Sequence, residues 1–566
     1  MTNNMTGGIS RRNFLGLGAL AAAGSAVALA GCAPKAPGES MAATGEAAVT
    51  APDWLGAAPD IAESDIVRTE DVDFLIVGAG TAGMTAALTA QEAGLNFIIC
   101  EKNSSVQETR EYVGAVDSAY QKQMGVEVDK AKLLNELTRY ASGKCNQEVI
   151  RVWLDESGEC LDWMDSKMQA VEKQCVVDLI NDHPTGGTDY YLPVLQHVWL
   201  TPYAPPMRND VFASLIEEAG NPVRFGWELV RLAEGDGVVT GAIFSTDEGY
   251  VQVNAKDTLI ATGGYPANPV MMSALSPAAV ACCTASSFAP NDTGDGIRAA
   301  IWAGAVKELE AAPMIFDRGA VEPGVDCGYT SEGEGAMLPG GIFQENIGSQ
   351  PFMKVNRHGK RFVNESMPYD FMCNAATQQP GGVWCQVFDA NAPEDILRFD
   401  TIGCSAFAKQ MMAAGMPIDE FCAVALDAGC MRKADTLEEL ADAMGFAGAD
   451  KDAFLEQVER YNAQYDAQLD DDFGKEAFRL SALRTAPFYG CWFGGSLLTT
   501  LDGIRINKHC QALNAAGDVI EGLYVAGDAS GSFFSGNYPE YIVGVASGRS
   551  STQGRHVARY LAGEIA

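Results

Sequence analysis

Residues 72–83 read VDFLIVGAGTAG, an apolar run of strand length that passes directly into a glycine-rich turn. A helix pattern follows over 84–93, a second apolar strand over 95–100, and Glu101 closes that strand. In such a unit the first glycine allows the tight turn, the second lets a pyrophosphate approach the backbone, and the third lets helix and strand pack closely. The phosphates sit at the helix N-terminus, and an acid about 20 residues further on accepts hydrogen bonds from a ribose. The stretch therefore predicts a dinucleotide-binding unit, with the choice between FAD and NAD left to the rest of the chain.

The composition limits the possible partners. The chain has 566 residues, enough for two or more domains, and a formal net charge of −35. Such a charge argues against nucleic acid as a partner and against binding of the folded body to an anionic membrane surface. Two interpretations of the net charge remain: a solvated acidic surface, or a surface that binds a basic redox partner. The 15 cysteines form no C-x-x-C pair, which favours buried free thiols, and we expect no metal site.

The N-terminus carries two export motifs. Residues 10–15, SRRNFL, form a twin-arginine pattern, and a weakly apolar segment follows to residue 30. Residues 29–32, LAGC, resemble a bacterial lipobox, which would attach a lipid to Cys32; a plain cleaved signal is the alternative. Residues 33–68 are rich in Ala, Pro, Gly, Ser and Glu and are typical of a flexible linker. We therefore expect a lipid-anchored protein on the extracytoplasmic side of a bacterial cell membrane, with 1–32 as its signal.

Four motifs occur in a fixed order along the rest of the chain. They are the glycine-rich turn with Glu101, then ATGG at 261–264, GDG at 294–296 and LYVAGD at 523–528. Together they resemble the fumarate reductase/succinate dehydrogenase flavoprotein superfamily. The resemblance implies an α/β fold, in which a split Rossmann-like FAD-binding domain carries an inserted α+β capping domain. The substrate would lie between the cap and the isoalloxazine ring of FAD.

The change of residue pattern along the chain suggests the domain limits. Short strands and acidic helices, such as 435–446 and 451–467, set the middle of the chain apart from its two ends. We expect the first part of the FAD-binding domain over 69–308, the capping domain over 309–490, and the second part of the FAD-binding domain over 491–566.

The resemblance also implies the FAD contacts. Gly78, Gly80 and Gly83 would take the pyrophosphate and Glu101 the adenosine ribose, whereas Asp528 would hold the ribityl chain. The residues expected to bind FAD are Gly78, Ala79, Gly80, Thr81, Ala82, Gly83, Glu101, Lys102, Thr262, Gly263, Asp295, Asp528 and Val543. The chain departs from the family at 107–110, QETR, where other members have a Gly-Gly-Asn/Ser run.

The substrate residues of fumarate reductases are replaced in this chain. The cap motif GKRFVNE lies at 359–365, and Tyr369 stands where the proton-donating arginine would be. Tyr538, in GNY at 536–538, replaces the clamping arginine, while Ala312 and about Leu498 fall where the family has histidines. A dicarboxylate would lose its bidentate partners, so fumarate and succinate are poor candidates.

The two tyrosines point to another branch of the superfamily. Residues 364–369, NESMPY, resemble the matching segment of 3-ketosteroid Δ1-dehydrogenases. The resemblance implies that Tyr369 exchanges a proton with the substrate α-carbon, that Tyr538 polarises the ketone oxygen, and that hydride passes between flavin N5 and the β-carbon. A buried phenol can do such work in an apolar pocket, but both tyrosines could also be packing residues. Tyr541 and Glu540 are alternatives to Tyr538.

Three further polar residues are candidates for the site. Arg361, His183 and His197 are of residue types that take part in proton transfer and in binding anions. Each is interpreted as a structural or surface residue.

We therefore expect an exported FAD-dependent reductase of a C=C bond conjugated to a carbonyl in a bulky, weakly polar compound, such as a steroid-like or plant-derived enone or lactone. Because the chain has no haem motif, electrons would come from a separate cytochrome or quinol-linked membrane protein. The alternatives are a ketosteroid-type dehydrogenase, a non-catalytic electron-carrier lipoprotein, and a fumarate-, urocanate- or acrylate-type reductase. The last would need a cationic pocket, for which Arg208 or Arg318 is available.

Overall fold

The computed structural model of the chain describes residues 53–107, 112–177, 191–201, 205–286, 291–401 and 403–566. The twin-arginine motif, Cys32, most of the linker and His183 lie outside the described residues. Among the residues that are described, no helix combines the length and the apolar character needed to cross a membrane.

Strands and helices are numbered here in chain order. The strands are β1 Ile66–Val77, β2 Phe97–Glu101, β3 Val113–Gly114, β4 Gln174–Val177, β5 Gln196–Thr201, β6 Arg224–Phe225, β7 Glu228–Gly235, β8 Val238–Thr246, β9 Gly249–Ile260, β10 Cys283–Ser286, β11 Pro313–Val321, β12 Met353–Val355, β13 Trp384–Asp389, β14 Met431–Ala434, β15 Phe488–Thr500, β16 Gln511–Leu513 and β17 Val519–Val525. The helices are α1 Thr81–Glu92, α2 Ala119–Met124, α3 Lys130–Tyr140, α4 Gln147–Gln169, α5 Arg208–Glu218, α6 Pro269–Leu275, α7 Pro277–Cys282, α8 Asp295–Trp302, α9 Tyr369–Ala376, α10 Ala392–Phe399, α11 Ala406–Ala413, α12 Ile418–Phe421, α13 Ala423–Asp427, α14 Leu437–Ala443, α15 Ala449–Ala467 and α16 Val545–Leu561.

The first sheet is built around β1. Its strands follow the order β16-β17-β9-β1-β2-β6, and the β7–β8 hairpin adds to β9. Strands β2, β9 and β17 run parallel within this core, and Val77, Ile260 and Val525 lie side by side in register. Because parallel strands end at the same sheet edge, the turns that follow these three residues meet there. The predicted α/β fold with a nucleotide-binding sheet is confirmed, although its N- and C-terminal contributions come from distant parts of the chain.

Glycines set the close packing of α1 on the sheet. A Cβ atom at Gly83 would lie 1.9 Å from the carbonyl oxygen of Gly78, and one at Gly78 would lie 2.4 Å from the carbonyl oxygen of Ala261. Gly78 also has a φ of +104°, a conformation that favours glycine. The helix begins at Thr81 rather than at the expected Met84, because Gly80, in extended conformation, is its N-cap residue. The third glycine therefore serves helix–sheet packing, as predicted.

The second sheet carries the cap. Strand β15, thirteen residues long, pairs with β10, β11, β13 and β14, and β12 extends the sheet beyond β13. Nearly all of β15 is buried, as expected for a strand covered on both faces. This sheet uses β10 at 283–286 and the end of β15 at 491–500, so it extends past both ends of the segment 309–490. The predicted acidic helices of the cap are α14 and α15.

Candidate active site

A first cavity, with about 1320 Å³ of empty space, lies where β1, β9 and β17 end. Ten of the thirteen residues expected to bind FAD line it: Gly78, Gly80, Thr81, Ala82, Glu101, Lys102, Thr262, Gly263, Asp295 and Asp528. Ala79, Gly83 and Val543 do not line this cavity. The sequence motifs thus converge on one place, although they are separated by up to 450 residues.

Ala79 contributes through its backbone. Its N–H donates to Glu101 Oε2 over 2.8 Å, while the backbone and side-chain nitrogens of Asn103 donate to Oε1 over 2.9 and 2.7 Å. These bonds fix the Glu101 carboxylate at the cavity wall, with the side chain buried. Its expected contact with a ribose stays a prediction.

An ion pair joins two of the predicted residues. Lys102 Nζ lies 2.6 Å from Asp295 Oδ2, and Arg298 Nη2 donates to the other carboxylate oxygen over 3.1 Å. Burial alone would raise the pKa of Asp295, but Lys102 outweighs it and holds this pKa below its usual range. The pair ties the end of β2 to the start of α8 across the cavity.

Two acids lie close together on the far wall. Asp528 accepts hydrogen bonds from Arg549 Nη2 over 2.8 Å and from Thr499 Oγ1 over 3.0 Å, yet burial still raises its pKa. Asp292, which the sequence analysis missed, also lines the cavity, and burial together with Asp528 raises its pKa to about 7. Carboxyl groups in such a wall suit a ligand rich in hydroxyl donors.

The cavity fits FAD on the evidence of its own geometry. A Cβ atom at Gly80 would meet nothing within 4 Å. The backbone conformation there (φ −83°) suits any residue, so no strain explains the glycine. That open space at the N-terminus of α1 is where the motif places a pyrophosphate. The glycine-lined turn and the acids together match a dinucleotide with hydroxylated linkers.

Replacing Gly80 with valine tests this assignment. We expect a protein that folds but binds FAD about tenfold to hundredfold more weakly, because the added side chain fills the space of the pyrophosphate. FAD content after purification and the rise in melting temperature on adding FAD measure the effect. Gly335→Val is the control, since that position also meets nothing within 4 Å and has no positive φ, but lies outside the cavity. A yellow Gly80→Val protein with normal FAD affinity would contradict the assignment.

A second cavity adjoins the first. Met314, Ala546 and Ser547 line both cavities. The other residues around the second cavity are Tyr112, Gln196, Phe316, Arg318, Gln344, Asn346, Phe407, Gln410, Tyr538, Glu540, Val543 and Gly544. Val543 lines this second cavity and not the first. It directly precedes α16, and the first turn of that helix lies between the first and the second cavity. The aromatic walls suit a flat, weakly polar ligand.

Alternation along β11 sends one set of side chains into the second cavity. Met314, Phe316 and Arg318, each two residues apart, all line it. Ala312, expected where the family has a histidine, is fully buried and lines neither cavity. Leu498 lines the first cavity.

Tyr369 is bound to the one arginine among the residues that line this second cavity. Arg318 Nη2 donates to the Tyr369 hydroxyl over 3.1 Å, and Ser405 Oγ donates to it over 2.8 Å. The ring of Phe316 lies edge-on to that of Tyr369, with centroids 5.2 Å apart. Tyr369 is only 2% exposed and lines neither cavity itself; its link to the second cavity is the hydrogen bond from Arg318. Two donors on one phenolic oxygen stabilise the phenolate that remains once the proton has been given away.

Arg318 is itself held in place. Its Nε donates to Ser349 Oγ over 2.7 Å, and its Nη1 donates to Gln344 Oε1 over 3.3 Å. Ser349 in turn donates to Asp317. From the sequence, Arg318 was expected only as a source of charge for an acrylate-type pocket. The alternation along β11 was a signal that it shares a face with Met314 and Phe316.

The remaining candidates lie apart from the second cavity. His197 is buried between Ser118 Oγ (2.8 Å) and the carbonyl oxygen of Leu195 (2.7 Å), and burial lowers its pKa to about 4. Arg208 lies 3.4 Å from Thr81 Oγ1, beside the first cavity. Tyr541 donates its hydroxyl to Glu136 over 2.7 Å and lines neither cavity. Of the alternatives to Tyr538, only Glu540 shares its cavity.

Known proteins resemble the chain over most of its length. It is 27% identical to the vinyl phenol reductase of Lactiplantibacillus plantarum, over 88% of this chain and 98% of the relative. It is 26% identical to the digoxin reductase of Eggerthella lenta, over 94% and 93%. The structure of 3-ketosteroid Δ1-dehydrogenase from Sterolibacterium denitrificans, with bound 1,4-androstadiene-3,17-dione, shares the fold, with a TM-score of 0.64 at 18% identity, over 88% of this chain and 100% of that one.

The family assignment agrees with the motifs. Fumarate reductases and a 3-oxosteroid 1-dehydrogenase, the two groups that the motifs resemble, are also among the relatives. Residues 73–541 match the model of the FAD binding domain family, which spans both parts of the first sheet and the cap between them. The chain therefore belongs to the FAD binding domain family, as a FAD-dependent oxidoreductase that acts on carbon–carbon double or single bonds.

Proposed function

We propose that the protein reduces a C=C bond conjugated to a carbonyl group in a bulky, weakly polar compound, such as a steroid-like or plant-derived enone or lactone. The observation that carries the proposal is the Tyr369–Arg318 hydrogen bond at a cavity with aromatic walls, which adjoins the FAD cavity. Relatives named as reductases of a vinyl phenol and of digoxin support both the reductive direction and an uncharged substrate.

The residues divide the work of the reaction. FAD, when bound, supplies the hydride. We assign the proton for the α-carbon to Tyr369, which does not itself line the second cavity but is hydrogen-bonded to Arg318, which does; Arg318 and Ser405 stabilise the phenolate that this leaves. Tyr538, on the wall of the second cavity, donates a hydrogen bond to the carbonyl oxygen as negative charge develops there.

A second candidate is the reduction of an α,β-unsaturated carboxylate. Arg318 favours it, because a guanidinium group binds a carboxylate through two parallel hydrogen bonds. Its donors are already engaged with Ser349, Gln344 and Tyr369, however, and a carboxylate would have to displace them. Because a carboxylate substrate would have to displace these hydrogen bonds, we favour the uncharged carbonyl compound as the substrate.

The setting of the reaction is proposed from the N-terminal motifs. The twin-arginine pattern and the lipobox support export with FAD already bound and anchoring through a lipid on Cys32. Electrons would then arrive from a separate cytochrome or quinol-linked membrane protein. The net charge of −35 suits a donor with a basic surface.

Anaerobic reoxidation of the reduced protein tests the proposed function. The purified protein is reduced with a viologen dye and offered an enone, a lactone, a 3-ketosteroid, a cinnamate and fumarate. We expect reoxidation of the flavin by the uncharged enones or lactones, with a product that has gained two hydrogen atoms by mass spectrometry. Reoxidation by the carboxylates alone would favour the second candidate. Reduction of the oxidised protein by a saturated ketosteroid would indicate a dehydrogenase, and no reaction with any compound would leave an electron carrier.

A further inference from the structure

One face of α11 borders the open end of the second cavity. Phe407 and Gln410, three residues apart on this helix, both line the cavity. Residues at this spacing lie on the same face of a helix. Both are exposed to solvent, whereas Gln196, Arg318 and Tyr538, which line the same cavity, are buried. The difference in exposure indicates that this face of α11 lies at the mouth of the cavity and the three buried residues in its interior.

A different part of the second cavity adjoins the first. Met314, Ala546 and Ser547 line both cavities, whereas Phe407 and Gln410 line only the second. A double bond that receives a hydride from FAD must lie at this shared wall. The end of the substrate that is remote from the double bond then extends toward the mouth, where α11 lies.

The opposite side of α11 holds the helix in the cap. Ala408 and Met412, four residues apart, are buried. Ser405, directly before the helix, donates from its Oγ to the hydroxyl of Tyr369 over 2.8 Å. Phe407 is therefore carried by a helix that is packed into the cap and bonded to the proposed proton donor.

The Phe407 side chain has apolar surface left for a ligand. Its ring lies beside that of Phe421, with centroids 6.2 Å apart, yet the residue is still 41% exposed. Single exposed apolar side chains are ordinary on a protein surface, but this one forms part of a cavity wall. A ligand that covers it gains from burial of apolar area. An aromatic ring gains more than a saturated ring of the same size, because ring pairs add an offset or edge-on contact.

We infer that Phe407 is a specificity-determining residue that binds an aromatic ring of the substrate, at the end remote from the double bond that is reduced. The inference rests on the proposed function, because it concerns the same cavity. Neither Phe407 nor Gln410 carries a charge, so this end of the cavity suits an uncharged ring. Among bulky enones, the substrate class is narrowed to elongated compounds with a second, aromatic ring away from the conjugated carbonyl.

The test compares three enones that share their reactive end and carry a methyl group, a cyclohexyl ring or a phenyl ring at the remote end. Dissociation constants come from the change in flavin absorption of the oxidised holoprotein, so they do not depend on turnover. We expect the parent to bind the phenyl compound about tenfold to hundredfold more tightly than the methyl compound. The cyclohexyl compound should bind about twofold to tenfold more weakly than the phenyl compound, because it lacks the contact between aromatic rings.

Variants at Phe407 assign the preference to this residue. Phe407→Ala should weaken binding of the phenyl compound by about fivefold to thirtyfold, and that of the methyl compound by less than about twofold. Phe407→Tyr keeps the ring and should keep the preference. In turnover, the loss in Phe407→Ala should appear in KM more than in kcat, because the contact is the same before and during the reaction.

Two controls separate a contact with the ligand from an effect on folding. FAD content and melting temperature establish that each variant is folded. Phe225→Ala is the matched control: Phe225, on β6, is 40% exposed and lines neither cavity. The ratios of the three dissociation constants should not change in this variant.

The inference and the proposed function fail in different ways. A parent without a preference for the phenyl compound, or a Phe407→Ala protein that keeps it, would overturn the inference even if enones are reduced. Equal losses of affinity for all three compounds in Phe407→Ala would also overturn it, because the residue would then act through the shape of the cap. A preference that depends on Phe407, with no turnover of any compound in the reoxidation test, would sustain the inference and overturn the proposed function.

Discussion

Replacing Tyr369 with phenylalanine is expected to slow substrate reduction by about 100-fold to 10 000-fold, the range that a positioned general acid contributes. The substitution removes one oxygen atom and leaves the ring, which packs edge-on against Phe316. FAD binding should be unchanged, because Tyr369 lines neither cavity directly. The loss should therefore appear in the reaction of the reduced protein with substrate and not in the reduction of the flavin by a viologen dye.

Rapid-mixing absorbance separates these two half-reactions. The oxidised Tyr369→Phe protein is first reduced with the dye, and the rate of flavin reoxidation is then followed after a substrate is added. Tyr541→Phe is the matched control: it also removes the hydroxyl of a buried tyrosine, but one that donates to Glu136 and not one bonded to Arg318. We expect it to react at nearly the parent's rate. Equal losses in both variants would mean that Tyr369 acts through packing and that another group gives the proton.

Local patterns made the nucleotide-binding part of the molecule predictable. In residues 72–101 each strand and helix is next to its partner in the sequence, and the glycines have roles that follow from backbone geometry. The observed start of α1 differs from the predicted start by a few residues, because Gly80 is the N-cap residue and the helix begins within the glycine motif. Six of the ten predicted FAD residues that line the first cavity lie in this segment or directly after it, and the other four were predicted from the resemblance of their motifs.

The cap was less predictable because its sheet depends on pairing between distant residues. Strand β15 pairs with β11, some 180 residues earlier, and with β10 before that. No short-range pattern specifies which strands meet, so the segment 309–490 was expected to be separate although its sheet continues into the flanking chain. Arg318 was undervalued for this reason: its position beside Tyr369 depends on where β11 lies.

Two acids of the site have a second cause in common. Asp292 belongs to no motif and was missed, and Glu540 was only an alternative to Tyr538, since an acid in a loop is usually a solvated residue. Only the structure reveals that Asp292 is half-buried, that Glu540 is buried, and that both line cavities. The alternation of Met314, Phe316 and Arg318 was readable in the sequence, since an arginine on the same face as two apolar residues of a strand is unusual.

The second large effect is expected from Arg361, in the segment that leads to Tyr369. Its Nε and Nη2 donate to the two carboxylate oxygens of Glu365 over 2.7 and 2.8 Å, and Nη2 also donates to Asp470 over 2.8 Å. The side chains of all three residues are fully buried. Arg361→Leu would leave the buried carboxylate of Asp470 without its cation and Glu365 with Lys475 alone, 3.4 Å away. We therefore expect the free energy of unfolding to fall by about 3–5 kcal/mol.

Denaturant unfolding followed by tryptophan fluorescence measures this loss, with Lys451→Met as control. Lys451 pairs with Asp442 at the surface, so that substitution should cost less than about 1 kcal/mol. Equal losses in the two variants would contradict a buried network and would make Arg361 an ordinary surface cation.

The pH dependence of the loss identifies the carboxylates. Burial opposes the shift, yet the hydrogen bond and charge of Arg361 lower the pKa of Asp470 to about 2 from the usual 3.8. A lowered pKa means that this stabilisation is complete above about pH 4 and disappears as the pH falls toward 2. The difference in stability between the parent and Arg361→Leu should therefore shrink over that range.

Because Glu365 lies four residues before Tyr369, the variant should also reduce substrate more slowly under conditions in which it is fully folded. A slower reaction of the folded variant would show that the network supports the proton donor.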